Sequence, residues 1–323
     1  MAGIPPYIVA EPCRIRMAIG LNAAFSFAKS DAMRFSHLLL AILLCFAWGL
    51  NAVAAKVGVT YIPPVFFTAI RFVFVLICLA PWLRPVPGKW NVLIPAVFFM
   101  GGLHFALIFT GVKYSDASTM VIVNQLYVPI SVLLAMAWLG ETVPLRRWLG
   151  IVLAFCGVVV FSLDASVITH WFGVFVLFLD AISMAIGTVL FRRLSGVPPF
   201  VMQAWMAALG VPFLLLTSLI LESGQFAALA DAPWQAWTAL AYTVIAASLI
   251  GHTAYYILLQ HYEVSLVGSV LLLGPAIGVF GGVAILNEPF TPMIVAGAAM
   301  TLFGVAVVLR RAPIRNLEPA EGV

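Results

Sequence analysis

Asn51, Arg71, His104, Asn124, Gln125 and Asp180 stand inside stretches of chain that are otherwise almost wholly apolar. Groups of this kind are costly at membrane depth and are usually functional or paired. An arginine there can clamp a carboxylate with its planar fork, and an aspartate can receive an ammonium. Arg71 and Asp180 together would thus read a zwitterion. Two other readings stand beside that one: Arg71 reaches to the membrane interface along its own stem, or Arg71 and Asp180 pair with each other. Imidazole titrates near neutral pH, so His104 and His252 are candidates for carrying a proton, or else hydrogen-bonded packing residues. Trp48 and Tyr127 lie deeper than the interfacial belt in which aromatic side chains anchor helices, so they are expected to line the same space. Tyr255, Tyr256, Gln203 and Trp205 follow as further candidates.

The elements that must hold these residues are membrane helices. The chain has 323 residues, 64% hydrophobic and 9% charged, where a soluble domain carries about 25% charged residues. Its mean hydropathy is +1.13. No basic patch exists outside the loops, which argues against a nucleic-acid partner. Cys13, Cys45, Cys78 and Cys156 show no metal-ligand spacing. The last three read as small packed side chains, and no disulfide, metal or cofactor is expected.

A helix needs about 20 apolar residues to cross the hydrocarbon core. Ten stretches qualify: Ser36–Lys56, Pro64–Leu83, Asn91–Val112, Asp116–Leu139, Arg146–Leu163, Trp171–Phe191, Pro199–Leu221, Trp234–Leu259, Ser265–Leu286 and Phe290–Leu309. At about 1.5 Å per residue, Asn51, Arg71, His104, Asn124 and Gln125 share one slab, and Asp180 falls near the midplane. Thirteen basic residues occupy the N-terminal segment, the even-numbered loops and the tail, against Lys56 and Lys113 in the opposite loops. That asymmetry predicts both termini in the cytoplasm, with a bacterial inner membrane as the expected site.

The chain is also written twice. Tyr114/Tyr262, Pro129/Pro275, Glu141/Glu288, Gly150/Gly297 and Gly157/Gly304 recur at offsets of 148, 146, 147, 147 and 147 residues. Five spans per copy is an odd number, so the second copy enters the bilayer from the other side. The expected fold is an all-α integral membrane protein of ten transmembrane helices in two inverted five-helix repeats. Residues 1–35 read as a dispensable leader, 36–163 and 164–309 as the repeats, and 310–323 as a tail. Gly274, Gly278 and Gly282 form a small stripe on helix 9, and Ser131 and Ala135 match its last two positions on helix 4, so close contact of these helices is expected. Pro129 and Pro275 interrupt the same two helices and each free a carbonyl, which either faces substrate or marks a kink. Lys56 and its repeat counterpart Arg192 read as interfacial anchors, and Glu141 and Glu288 as terminal caps or partners of loop basics.

The strings AWGLNAVAAKVG (Ala47–Gly58), IPPVFFTAIRF (Ile62–Phe72), the P…LGET…G…G run (Pro129–Gly157) and the GP…LNEP…G…G run (Gly274–Gly304) resemble the EamA family of the drug/metabolite transporter superfamily. The first two strings and His261–Phe280 are most similar to exporters of cysteine and O-acetylserine. The resemblance implies a central cavity between inverted repeats and efflux of small metabolites, amino acids or their derivatives first among them, by alternating access. It leaves proton coupling open. Drug or organic-cation efflux is the alternative within the superfamily, and nucleotide-sugar exchange would want more basic residues than Arg71. An intramembrane protease would need two membrane aspartates, and Asp180 is alone; no serine or zinc-protease motif is present.

Overall fold

The computed structural model describes residues 34–139, 143–194, 196–261, 267 and 270–309. The leader, the tail, Glu141, the Ser265 end of the ninth stretch and the side chains of Arg192 and Tyr256 lie outside the described residues. The chain is all-helical across them. We label the helices α1 (Phe35–Tyr61), α2 (Pro64–Leu79), α3 (Trp90–Lys113), α4 (Ala117–Asn124, resuming as Tyr127–Leu139) and α5 (Leu145–Ser162). Then follow α6 (Trp171–Arg192), α7 (Pro199–Leu221), α8 (Trp234–Tyr242, Thr243–Gly251 and His252–His261 in succession), α9 (Leu273–Leu286) and α10 (Pro292–Leu309). Among the described residues, eight helices are long and apolar enough to cross a bilayer, and α9 is a shorter apolar helix. The apolar runs are helical because hydrocarbon offers backbone groups no other partner.

The duplicated glycines hold α5 against α10. A Cβ on Gly150 would stand 2.9 Å from the Gly304 carbonyl oxygen, and one on Gly304 would stand 2.7 Å from that of Gly150. Gly157 would likewise meet the Gly297 carbonyl at 2.8 Å. The pairing is reciprocal and antiparallel, as an inverted repeat requires. The two copies thus meet along α5 and α10, and the expected contact of α4 with α9 is made as well, through the first half of α4. On α9 the glycine stripe admits other neighbours: a Cβ on Gly278 would meet Val121 of α4 at 2.8 Å and the Gly49 carbonyl of α1 at 3.1 Å. The Ser131 and Ala135 half of α4 packs on α6 instead.

Pro129 explains the break in α4. It has no N–H for the Gln125 carbonyl, which accepts from Val128 N at 3.2 Å instead, while Leu126 N turns to Val123 O at 3.0 Å. The freed carbonyl thus has a donor within its own helix, and the proline marks a break in α4. α3 and α8 carry a different irregularity: π-helical segments at Phe98–Leu103 and Thr243–Gly251. Each segment runs directly into a histidine, His104 in one helix and His252 in the other. Such bulges shift the face a helix presents and are frequent at functional sites.

One end of the bundle is stitched by charged side chains. Pro63 offers α2 no capping side chain, and Glu222 at the end of α7 accepts from Val65 N at 2.8 Å and Phe66 N at 3.0 Å. Asn287 adopts the left-handed conformation (φ 55°) that stops α9. Glu288, next in sequence, then passes over Gly282 and accepts from Ala117 N at 2.6 Å, Ser118 N at 3.0 Å and the Ser118 hydroxyl. Gly282 is needed here, because a Cβ would stand 2.8 Å from the carboxyl carbon of Glu288. Lys56 is half-buried and donates to the carbonyls of Val112 (3.0 Å), Lys113 (3.3 Å) and Ser115. It closes the C-terminus of α3 rather than simply anchoring at the interface. Asp164, after α5, accepts from Ser166 and from the Thr291 hydroxyl before α10.

Cys45 is buried and lies 3.4 Å from the Val270 carbonyl, but Cys78 and Cys156 are exposed on the outer faces of their helices. Those two do not pack in the core, since helical periodicity turns them outward.

Two outcomes follow from the stitched end. Glu288→Ala leaves two buried N–H groups of α4 unmet, and a lower melting temperature in detergent, corresponding to about 2 kcal/mol, is expected; an unchanged melting curve would show that the cap is not formed. Hydrogen bonds from Ser166 and Thr291 hold the Asp164 carboxyl below its usual range. Its contribution is therefore complete above about pH 3.9, the ordinary aspartate value, and is lost as pH falls through the lower folded value. The melting-temperature gap between wild type and Asp164→Asn should be full at neutral pH and close in acid.

Candidate functional site

Arg71 is 2% exposed and does not reach to the interface. Pro64 starts α2 and the guanidinium projects two turns on, into the space between α2, α3 and α8. Its Nε and Nη2 both donate to the Ser248 hydroxyl, at 3.1 and 2.9 Å. Its guanidinium carbon lies 5.1 Å from the Phe105 ring centre and 5.6 Å from that of Phe109, within range of a cation–π attraction. Nη1 is buried and has no hydrogen-bond partner. Arg71 and Asp180 do not pair in this conformation.

Asp180 is fully buried on α6. Its Oδ1 lies 2.5 Å from His104 Nδ1, and its Oδ2 accepts from Asn124 Nδ2 at 2.7 Å. The same amide nitrogen lies 3.6 Å from Met184 Sδ. His104, Asn124 and Asp180 thus form one cluster from α3, α4 and α6. Phe105, the neighbour of His104, packs edge-on to it and carries Arg71 on its ring. The cluster and Arg71 are separated by little more than that side chain.

The remaining candidates divide. Trp48 of α1 is half-buried; its indole N–H donates to Ala247 O at 3.1 Å, and its ring lies 5.4 Å from both His252 and Tyr255. Gly251 leaves room for it, since a Cβ there would stand 2.5 Å from the indole nitrogen. Asn51, one turn along α1, is half-buried, and its Oδ1 has no partner. Tyr127 and Gln125 are half-buried on α4, one on each side of its break. Gln203 of α7 donates to Ser248 O at 3.2 Å, whereas Trp205 turns away to the Arg84 carbonyl at 2.9 Å. His252 Nδ1 faces the carbonyls of Ala247 and Ser248, at 3.1 and 3.2 Å.

Ser248 joins these groups and escaped the sequence reading. It bridges Arg71 to the π segment of α8 by donating to Thr243 O at 3.0 Å. A lone serine in AASLIG carries no signal in itself; only its neighbour across the bundle makes it conspicuous. A 240 Å³ cavity lies elsewhere, between α4, α5 and α6, and Val123, Val158, Val174, Phe175 and Phe178 give it an apolar lining. It offers no ionisable group to select a polar solute. The polar cluster itself is packed shut, with His104 at 7% exposure.

Ser248→Ala would strip Arg71 of its hydroxyl acceptor and leave Nε and Nη2 unmet, as Nη1 already is. A loss of about 1–3 kcal/mol is expected in thermal unfolding, whereas Gln203→Ala, whose backbone acceptor keeps other options, should cost less. Equal effects would mean that Ser248 does not support Arg71.

The EamA-like transporter family model matches residues 35–163 and 171–310. The probable amino-acid metabolite efflux pumps of Salmonella typhimurium and Escherichia coli are 27% and 25% identical to this chain; each match covers 83% of this chain and 93% of the relative. An uncharacterized transporter of Bacillus subtilis, YvbV, is 27% identical over 84% of this chain and 90% of its own. One crystal structure aligns with a TM-score of 0.59 at 19% identity, over 85% of this chain and 96% of that one, which speaks for the fold. Two matched halves, membrane helices throughout and relatives that are transporters agree: this chain is an integral membrane protein of the EamA-like transporter family.

Proposed function

We propose that this transporter exports amino acids or amino-acid derivatives, by alternating access of two inverted repeats, residues 36–163 and 164–309, around the Arg71 region. The observation that carries this reading is the unmet Nη1 of Arg71. A buried guanidinium without an acidic partner is a costly arrangement, and a substrate carboxylate would complete it. Asn51 Oδ1 is the matching unmet acceptor, and Asp180 is the acid that an ammonium would seek. Trp48 and Tyr127 supply apolar faces for a side chain, and Gln125 a free amide. The names of the Salmonella and Escherichia relatives support the same substrate class. An organic cation would use Asp180 alone and leave Nη1 unmet, which favours the zwitterion. The basic loops support a bacterial inner membrane with both termini in the cytoplasm.

The test is a competition screen in proteoliposomes with the common amino acids as competitors. Arg71→Ala and Arg71→Lys should each reduce transport of the best competitor about tenfold or more, because a bidentate charged contact cannot be rebuilt by an ammonium. Transport by well-folded Arg71→Ala protein within about twofold of wild type, less than 1 kcal/mol, would sink the reading.

A further inference from the structure

The Asp180 carboxylate has two donors already, and only one of them can bring a proton. Asn124 is neutral; His104 is not fixed in charge. A fully buried carboxylate at membrane depth must be neutralised or paired, so the 2.5 Å contact of His104 Nδ1 with Oδ1 holds a proton between the two groups. This proton joins α3 to α6, one helix from each matched half. Next to His104, Phe105 carries Arg71 on its face. For a zwitterion with its carboxylate at Nη1 to bring its ammonium to Asp180, Phe105 must swing aside from between them.

We propose that a proton on His104 and the ammonium of the substrate are alternative counterions of Asp180, so that each substrate bound displaces one proton. The proposal rests on the amino-acid reading above and deepens it. The charges decide the exchange. With substrate in place, its carboxylate answers Arg71 and its ammonium answers Asp180. The imidazolium of His104 is then left without a counterion in a medium of low dielectric, and it gives its proton to the water on whichever side the site faces. The other charged and titratable groups facing this space are Arg71 from α2, which lies on the far side of Phe105, and His252 from α8, whose ring packs on Trp48. From α4 come Asn124 and the phenol of Tyr127, and from α6 Asp180 itself. Charge and protons balance as protonated carrier plus zwitterion giving loaded carrier plus a free proton. By reciprocity, acid must weaken substrate binding as much as substrate weakens proton binding. In a membrane with a proton gradient this exchange drives the substrate outward.

Two isomers separate the ammonium from everything else. O-acetyl-L-serine has a free amine and N-acetyl-L-serine does not, while composition and carboxylate are shared. Purified protein in weakly buffered detergent, at or below neutral pH, is titrated with each while binding and released protons are followed. The expected result is about one proton released per O-acetyl-L-serine bound, with affinity falling about tenfold per unit of acidification. N-acetyl-L-serine should bind with no release. Asp180→Asn and His104→Gln should abolish the release. Binding of O-acetyl-L-serine with pH-independent affinity and no release overturns the proposal, as does wild-type release from Asp180→Asn. If neither isomer binds, the substrate reading falls separately, and the proton is sought without ligand. The infrared difference spectrum between acid and neutral protein should contain carboxyl and imidazole bands that Asp180→Asn removes. Identical spectra for wild type and variant overturn the proton site.

Discussion

A polar group inside a bilayer has no water to turn to, and this constraint shapes most of the molecule. Backbone groups answer it by forming helices, and helix ends answer it with borrowed side chains. Glu222 and Glu288 serve the N–H groups of α2 and α4, and Lys56 serves the carbonyls that close α3. Where Pro129 breaks the ladder, the orphaned carbonyl finds Val128. Against this thorough satisfaction, the unmet Nη1 of Arg71 and Oδ1 of Asn51 stand out. Thr119 Oγ1, Arg147 Nε, Ser162 Oγ and Gln235 Oε1 are also unmet among the described residues, but of these only Arg147 carries a charge, and it lies in the first turn of its helix.

Much of the fold was legible in the sequence, since apolar length alone marks membrane helices and an odd number of spans per copy implies inversion. The partners were not. The duplicated glycines announced a close contact, but periodicity gives a face and not the helix that meets it. Gly150 and Gly304 turned out to face each other, while the Gly278 stripe met α1 and the near half of α4. For the same reason depth placed Arg71, His104 and Asn124 in one slab and Asp180 near the midplane, yet could not show that Asp180 is held by His104 and Asn124 while Arg71 turns to Ser248. The π segments left no compositional trace. One signal was available: His104 and His252 are 148 residues apart, the same offset as Tyr114 and Tyr262.

That shared offset makes the two histidines counterparts, each set at the end of a π segment in the third helix of its half. Their surroundings have diverged. His104 meets an acid on α6, whereas His252 meets the indole of Trp48 on α1 and the carbonyls of its own helix. The duplication preserved the backbone device and released the chemistry around it. A symmetric pair of π segments thus borders an asymmetric set of polar groups, which fits the alternating access proposed above.

The stitched end and the α5–α10 contact differ in what parting them would involve. Val65, Phe66, Ala117 and Ser118 are buried and hold their N–H groups to carboxylates at helix ends, so water can replace each bond only once the helices part. Such a swap costs only about 1 kcal/mol per bond. The glycine faces of α5 and α10 have no such substitute, because their attraction is close packing alone, and lipid tails cannot follow a backbone that closely. Under the alternating access proposed above, the first arrangement would serve as a latch that water can open, and the second as a pivot that stays engaged.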